Sequence, residues 1–258
     1  MPKKEKISIK DKVVVFPDIH FPNHDEKAFK CALKVILKVE PTAFLLLGDF
    51  SDGESVSHWK WSRRKRPPLE YQLPEIDKEA KEVNHGLDRI DHVLQAVNCE
   101  KKVVAQGNHE IWYDNFVEEN PYLKQYRSDF LFKMNERGYE WHKYGEYFKV
   151  FGSKLYAYHG GHYNGINHCR SHAQNLGASV IYGHTHDSQK AVVQHLSGSH
   201  MAHSLGCLTD MEKGYLKGRP TNWSHNVGII DIFNNGNWNL NVLEIHNGKT
   251  SYGGEIIG

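Results

Sequence analysis

The chain has 258 residues, 39% of them hydrophobic, with 32 basic and 31 acidic side chains for a formal charge of +1. That length suits one α/β domain with a substantial core, and the even charge balance excludes a global field of the kind that marks a nucleic-acid or membrane-surface binder, so any basic footprint must be local. Four scattered cysteines (Cys31, Cys99, Cys169, Cys207) fit neither a zinc site nor a disulfide scaffold, the basic start leads into no apolar run, and no stretch of 18 apolar residues occurs; the expectation is buried thiols, no membrane and a cytoplasmic location.

The first apolar run, VVVFPDIH at 13–20, reads as a buried strand with a polar C-terminal end. A helix follows, with Asp25 as N-cap, Phe29, Ala32, Leu33, Ile36 and Leu37 at helical spacing, and Pro41 past the end. AFLLLGDF at 43–50 is the next strand, which completes a βαβ unit. Between 58 and 66 stands HWKWSRRKR, where Arg63, Arg64 and Arg66 are interleaved with Trp59 and Trp61. Cations beside ring faces are what a groove for unpaired nucleic acid needs, while charge runs also form ordinary solvated loops; both readings stay open. Residues 70–100 predict a long helix, because Ile76, Ala80, Val83, Leu87, Ile90, Leu94 and Val97 step by fours and threes. That stripe either packs on a sheet or offers a seam to a second copy or to a partner in a nuclease assembly.

KVVAQGNHE at 102–110, KLYAYHGG at 154–161 and ASVIYGHTH at 178–186 repeat the pattern of an apolar strand with a polar end, whereas 111–140 is aromatic, polar and broken by Pro121. In the tail, HMAHSLGCL, VGIIDIF and WNLNVLEIH alternate as antiparallel strands do, and we expect them to complete a second sheet layer. Open α/β sheets place ligands beyond the carboxyl ends of their strands, which is where all five polar endings fall.

Each ending alone is a weak signal, since Asp and His often simply make turns after a strand. In order they are Asp18 and His20 one residue apart, Gly48-Asp49, Gly107-Asn108-His109-Glu110, His159, and Gly183-His184-Thr185-His186. This succession resembles the DxH, GD, GNH[DE], H and GHxH blocks of the calcineurin-like metallophosphoesterases, all five in register over residues 18–186. The resemblance implies an α/β fold in which a two-layered β-sandwich core is flanked by helices and carries its metal site at the C-terminal strand ends. We expect one domain over 1–258 with a basic, helical insertion at about 53–100.

It also implies two divalent ions, manganese first, with iron, zinc, magnesium or nickel compatible with the same ligands. Mixed nitrogen and oxygen donors suit such ions, and a pair roughly 3.5–4 Å apart needs a bridging carboxylate. By motif, Asp18, His20 and His186 would hold one ion, Asn108, His159 and His184 the other, and Asp49 would bridge. A metal-bridged hydroxide would then attack phosphorus, with His109 as general acid or as a cation over the leaving group. Glu110 would orient His109, and Asp52 would shape its loop. His159 is chosen over His162 because it ends an apolar strand; His203 and His225 have no spacing that argues for the cleft.

The GNHE and HGG blocks also resemble those of serine/threonine protein phosphatases. Gly53 follows Asp52 where that group has an arginine, and Asp49 lies 59 residues before Asn108, a longer interval than theirs. The terminal GHTH block with a basic insertion is closer to the nuclease and phosphodiesterase members. The expected activity is hydrolysis of a nucleic-acid or nucleotide phosphodiester. The alternatives are a phosphomonoesterase, meaning a protein phosphatase or nucleotidase, and a non-catalytic scaffold.

Overall fold

The computed structural model describes residues 6–62, 64–212, 216 and 218–258. Four parallel strands, β1 (Ile9–Phe16), β2 (Ala43–Leu46), β3 (Lys101–Ala105) and β4 (Tyr139–His142), lie side by side. Parallel neighbours need crossovers. Helix α1 (Glu26–Val39) carries β1 to β2; the short α2 (His58–Trp61) and the long α3 (Leu69–Ala96) lie between β2 and β3; α4 (Asn108–Glu119) and α5 (Ser128–Leu131) lie between β3 and β4.

A second sheet contains β5 (Phe148–Lys149), β6 (Leu155–Ala157), β7 (Ser179–Tyr182), β8 (Gln189–His195) and β9 (Gly198–Ser204), in the order β5-β6-β7-β9-β8, with α6 (His168–Leu176) entering β7. β10 (Asn226–Phe233) and β11 (Trp238–Glu244) then return to the first sheet, whose order is β11-β10-β1-β2-β3-β4. A hairpin of β12 (Thr250–Tyr252) and β13 (Glu255–Ile257) ends the chain.

The period-two geometry of a strand explains how one apolar run serves two cores. On β1, Val14 and Phe16 face α1 and α3, while Val13 and Val15 face the second sheet, where they meet Leu155, Ala157, Ile181 and Leu205. The far side of the second sheet packs on α6 through Tyr158, Tyr182, Cys169 and Ala173. The result is helices, sheet, sheet, helix, as expected of an α/β sandwich flanked by helices.

Asp25 caps α1 as its sequence predicts, its Oδ1 accepting from the Ala28 amide at 2.8 Å. The inward face of that helix is Ala28, Phe29, Cys31, Ala32, Val35, Ile36 and Val39; Leu37 points out. All four cysteines are free and buried.

One open reading is resolved in favour of packing, and one expectation needs correction. The stripe on α3 from Ile76 to Leu94 is buried within this chain against α1 and the first sheet, so it offers no seam to a second copy. Of the three tail runs, only β9 belongs to the second sheet; β10 pairs with β1 and β11 with β10. Alternation reports which face of a strand is buried and carries no information about the strand beside it.

Candidate metal centre

The chain leaves β1, β2, β3, β6 and β7 at one edge of the sandwich, and each exit carries polar side chains. Asp18, His20, Asp49, His184 and His186 all have positive φ, from 32° to 70°. Non-glycine residues seldom occupy that region, and the strain persists only where the surroundings over-determine it. Here the loops hold one another. The His20 amide donates to the Asp49 carbonyl at 2.8 Å, the His184 amide to Asp18 Oδ1 at 2.9 Å, and the His109 amide to Asp49 Oδ1 at 3.0 Å. These contacts leave no room for side chains between the loops. A β-carbon at Gly107 would overlap the Asp49 carboxylate, and one at Gly183 would overlap that of Asp18.

Three groups of ligand-type atoms result, one of them His20, Asp52 and His109. In the other two, the atoms of Asp18, His20, Asp49 and His186 lie within 4.8 Å of one another, as do those of Asp49, His159 and His184. Asp49 belongs to both of these. Asn108 adds its Oδ1 to the second group, 3.0 Å from His159 Nε2 and 2.7 Å from His184 Nδ1. In the first group His20 Nε2 and His186 Nε2 stand 3.1 Å apart, and His186 Nε2 is 3.4 Å from Asp18 Oδ1.

Outer partners fix which ring nitrogen faces inward. His159 Nδ1 donates to the Leu47 carbonyl at 2.7 Å, leaving Nε2 for the centre. His20 Nδ1 pairs with Asp52 Oδ1 at 3.1 Å, and Asn23 holds the other Asp52 oxygen at 2.6 Å. Partners of this kind set the tautomer and raise the basicity of a ligating imidazole.

Burial and charge shape the protonation of the cluster. Burial disfavours the charged form of His159, yet Asp49 at 3.3 Å, and then Asp18, raise its pKa to about 10. Burial pushes Asp18 up to about 7, opposed by His159 and reinforced by Asp49. Asp49 also feels its burial, but His159, His109 and His20 pull it well below the usual carboxylate range. Burial and the cationic His159 hold His184 down at about 3. Two buried carboxylates this close require positive charge between them, and their neighbours are nitrogen and oxygen donors with lone pairs turned inward. That donor set fits borderline and hard divalent cations.

His109 stands beside the cluster, its Nε2 3.8 Å from Asp49 Oδ2. Its ring is oriented by the Asp52 carbonyl, which accepts from Nδ1 at 2.5 Å, and not by Glu110 as the sequence suggests. Glu110 is fully buried and accepts the amides of Asp49, Ser51 and Gly107, each at 2.8 Å, so it clamps the β2 exit to the β3 exit. Burial, then the Asp49 charge, raise its pKa to about 8.

The basic segment is only partly near this centre. Trp59, 74% exposed, lines a cleft of about 830 Å³ that opens beside Asp52 and His109. Trp61 instead lines a neighbouring groove with Pro22 and Tyr71. Arg66 turns toward Glu119 at 3.7 Å beside the end of α4, and exposed Arg64 is not among the residues lining the cleft. Arg63 lies outside the described residues. His162 is bonded to Tyr147 at 2.5 Å and His225 to the Thr209 carbonyl at 2.8 Å, apart from all three ligand groups.

Sequence reasoning missed Trp112, whose ring lies 4.1 Å from that of His109, and Trp223, 4.4 Å from His186. Trp112 stands three residues after His109 on α4 and so shares its face, but no helix is expected there from the sequence. Nothing local to Trp223, Asp210 or Glu212 announces their nearness to the site.

A family model described as calcineurin-like phosphoesterase matches residues 11–188. The chain is similar to the Gene 54 protein of Mycobacterium phage D29, 26% identical over 241 residues that cover 87% of this chain and 90% of that one. Among solved structures it is similar to that of Yfce, a phosphoesterase from E. coli, at 16% identity and a TM-score of 0.41, covering 89% of this chain and 98% of the other.

Proposed function

The chain belongs to the calcineurin-like phosphoesterases and is a hydrolase of phosphoesters, and from that premise we propose that it is a two-metal phosphodiesterase acting on a nucleic acid or nucleotide. In this reading Asp18, His20 and His186 would hold one divalent cation, Asn108, His159 and His184 would hold the second, and Asp49 would be shared between them. The observation that carries it is the membership of Asp49 in two of the ligand groups. Manganese is the first ion to try. Bound cations there would supply Lewis acidity toward the phosphoryl oxygens and an acidified water.

The protein's own contribution is orientation and proton handling. Asp52 and the Leu47 carbonyl keep the Nε2 atoms of His20 and His159 turned inward, and Glu110 keeps the Asp49 exit in place. His109, with Nδ1 committed to the Asp52 carbonyl, presents Nε2 to the cleft. From there it can protonate the departing oxygen or hold positive charge against it.

A diester is favoured over a monoester by the charge of the cleft. Among its described lining residues the acids are Asp52, Glu54, Asp210 and Glu212, and the one lysine or arginine is Lys60, paired with Glu54 at 2.9 Å. A monoester dianion brings more negative charge to that wall than a diester monoanion.

The test is turnover by metal-stripped protein with added Mn2+ on bis-p-nitrophenyl phosphate, p-nitrophenyl phosphate, and single- and double-stranded DNA, with Asp49→Ala as control. Diester and DNA cleavage that vanish in the control support the proposal. Cleavage of the monoester alone would replace it with a phosphatase, and silence on every substrate would replace it with a binding role.

A further inference from the structure

We propose that Trp112, with Trp59 lining the same cleft, is a stacking subsite for the base of the leaving nucleoside, and that Asp210 and Glu212 restrict this subsite to leaving groups without further phosphates. The proposal rests on the phosphodiesterase reading and narrows its substrate to a dinucleotide or to the last linkage of a strand.

The cleft beside His109 has a volume of about 830 Å³, within the roughly 300–1,000 Å³ of small-ligand sites. Trp112 is placed to act there. One side of its indole lies against the His109 ring, with 4.1 Å between centroids and a 36° tilt. Another lies over Gly53, where an added β-carbon would come within 3.2 Å of Cε3. The ring is wedged, its plane set before any ligand arrives, and its remaining surface lines the cleft. Because it leans on the side chain assigned to the departing oxygen, a group stacked on it is the leaving group.

Trp59 is the second ring. Its exposure of 74% is unusual for an indole, and it sits on a helix whose start is pinned by Ser57 Oγ accepting the Lys60 amide. Because it lines the cleft, this exposed ring offers a face on which a base can stack. Stacking on aromatic faces is worth about 1–3 kcal/mol per base and tolerates any base.

The acids set the limit. Glu54 is matched by Lys60, but among the described residues no cation pairs with Asp210 or Glu212, both of which line the cleft, and the Glu212 amide donates to Asp210 Oδ1 at 2.9 Å, which fixes the Asp210 carboxylate. A phosphate on the far side of the stacked nucleoside would meet that pair, and like charges across a partly enclosed cleft repel.

The experiment uses the full chain in four forms: wild type, Trp112→Ala, Trp112→Phe and the double variant Asp210→Asn with Glu212→Gln. Adenosine quenching of tryptophan fluorescence in metal-stripped protein reads binding without turnover. Turnover of a dinucleoside monophosphate, of its counterpart lacking the leaving base, and of a tetranucleotide reads selection. We expect Trp112→Ala to lose the adenosine signal and roughly 10- to 100-fold in kcat/KM on the dinucleoside, with a smaller loss on the baseless substrate, for which the indole only backs the His109 ring. Trp112→Phe should retain most of both, and the acid variant should gain on the tetranucleotide relative to the dinucleoside.

Trp59→Ala, at an exposed position, guards against a Trp112 variant that fails to fold and should lose part of the same preference. Equal losses on substrates with and without the base, or adenosine quenching unchanged in Trp112→Ala, would overturn the subsite. A wild type that binds adenosine through Trp112 but cleaves no diester would overturn the reaction and leave the subsite standing; one that does neither would remove both.

Discussion

The floor of the site and the wall of its cleft are built on different terms. On the floor, Asp18, His20, Asp49, His159 and His186 are buried at strand exits and held by hydrogen bonds between loops that meet from all over the chain. On the wall, Trp59, Lys60 and Glu212 stand on a four-residue helix and a loop, largely exposed and joined by few long-range bonds. A strained, over-determined floor suits groups that must converge on ions without reorganising. A loosely tied wall suits contacts that differ from one substrate to another.

The sharpest way to break this contrast is Asp49→Ala. If the floor is one unit hinged on a shared carboxylate, both ions are lost and turnover falls to background, whereas Asn108→Ala loses only one ion. Metal content by elemental analysis beside turnover decides it, and an Asp49→Ala protein that keeps both ions would show that the two groups are independent.

Next in size is His109→Gln, placed where floor meets wall. Removing a general acid costs about 10²- to 10⁴-fold in rate, and the bound ions should stay. Loss of metal in this variant would move His109 into the ligand set. A substrate with an activated leaving group, which needs no proton, should recover most of the rate.

Asp52→Ala probes the next ring outward. It leaves the His20 imidazole without its carboxylate partner and releases Asn23. Outer partners of this kind are worth roughly 10- to 100-fold in metal affinity. Titration of stripped protein should show one weakened ion and one unchanged. Equal weakening of both would mean that Asp52 acts through the Asp49 loop instead.

The same contrast accounts for what could be read from the sequence. The convergence of Asp18, His20, Asp49, Asn108, His159, His184 and His186 was legible because each lies within four residues of the end of an apolar strand, and five such local signals in order are hard to produce by chance. The capped helix at 26–39 and the stripe on α3 were legible for a similar reason, since their periodicities are local. Arg66, Trp61 and the tail strands were not. Whether a basic residue in a loop faces a cleft or an acid such as Glu119, and which sheet an alternating strand joins, depend on distant parts of the chain. The orientation of His109 shows the limit within a motif: its neighbour Glu110 was the obvious partner, yet the Asp52 carbonyl holds the ring.

Behind the floor, the far face of the second sheet carries the smallest and most specific prediction. His172 on α6 stacks on Tyr182 at 3.9 Å, accepts the Tyr158 hydroxyl at Nε2 and donates from Nδ1 to the His168 carbonyl at 2.8 Å. Tyr158 directly precedes His159, and Tyr182 stands two residues before His184, so this ring backs two of the proposed ligands. Both nitrogens are used by the neutral form, and burial holds the pKa down at about 4 against an ordinary 6.5. Above pH 6.5 the ring is neutral whether the chain is folded or not, and its contribution is fully present. As pH falls from 6.5 through 4 the unfolded chain takes up a proton that the folded chain refuses, so stability is lost with acid, on the order of 2 kcal/mol after allowance for solvent screening. His172→Gln keeps a donor and an acceptor without a titratable ring. Denaturant unfolding of both proteins between pH 4 and 7 should give a shallower slope for the variant by about one proton; parallel slopes would mean that α6 yields its ring to water before the floor feels the charge.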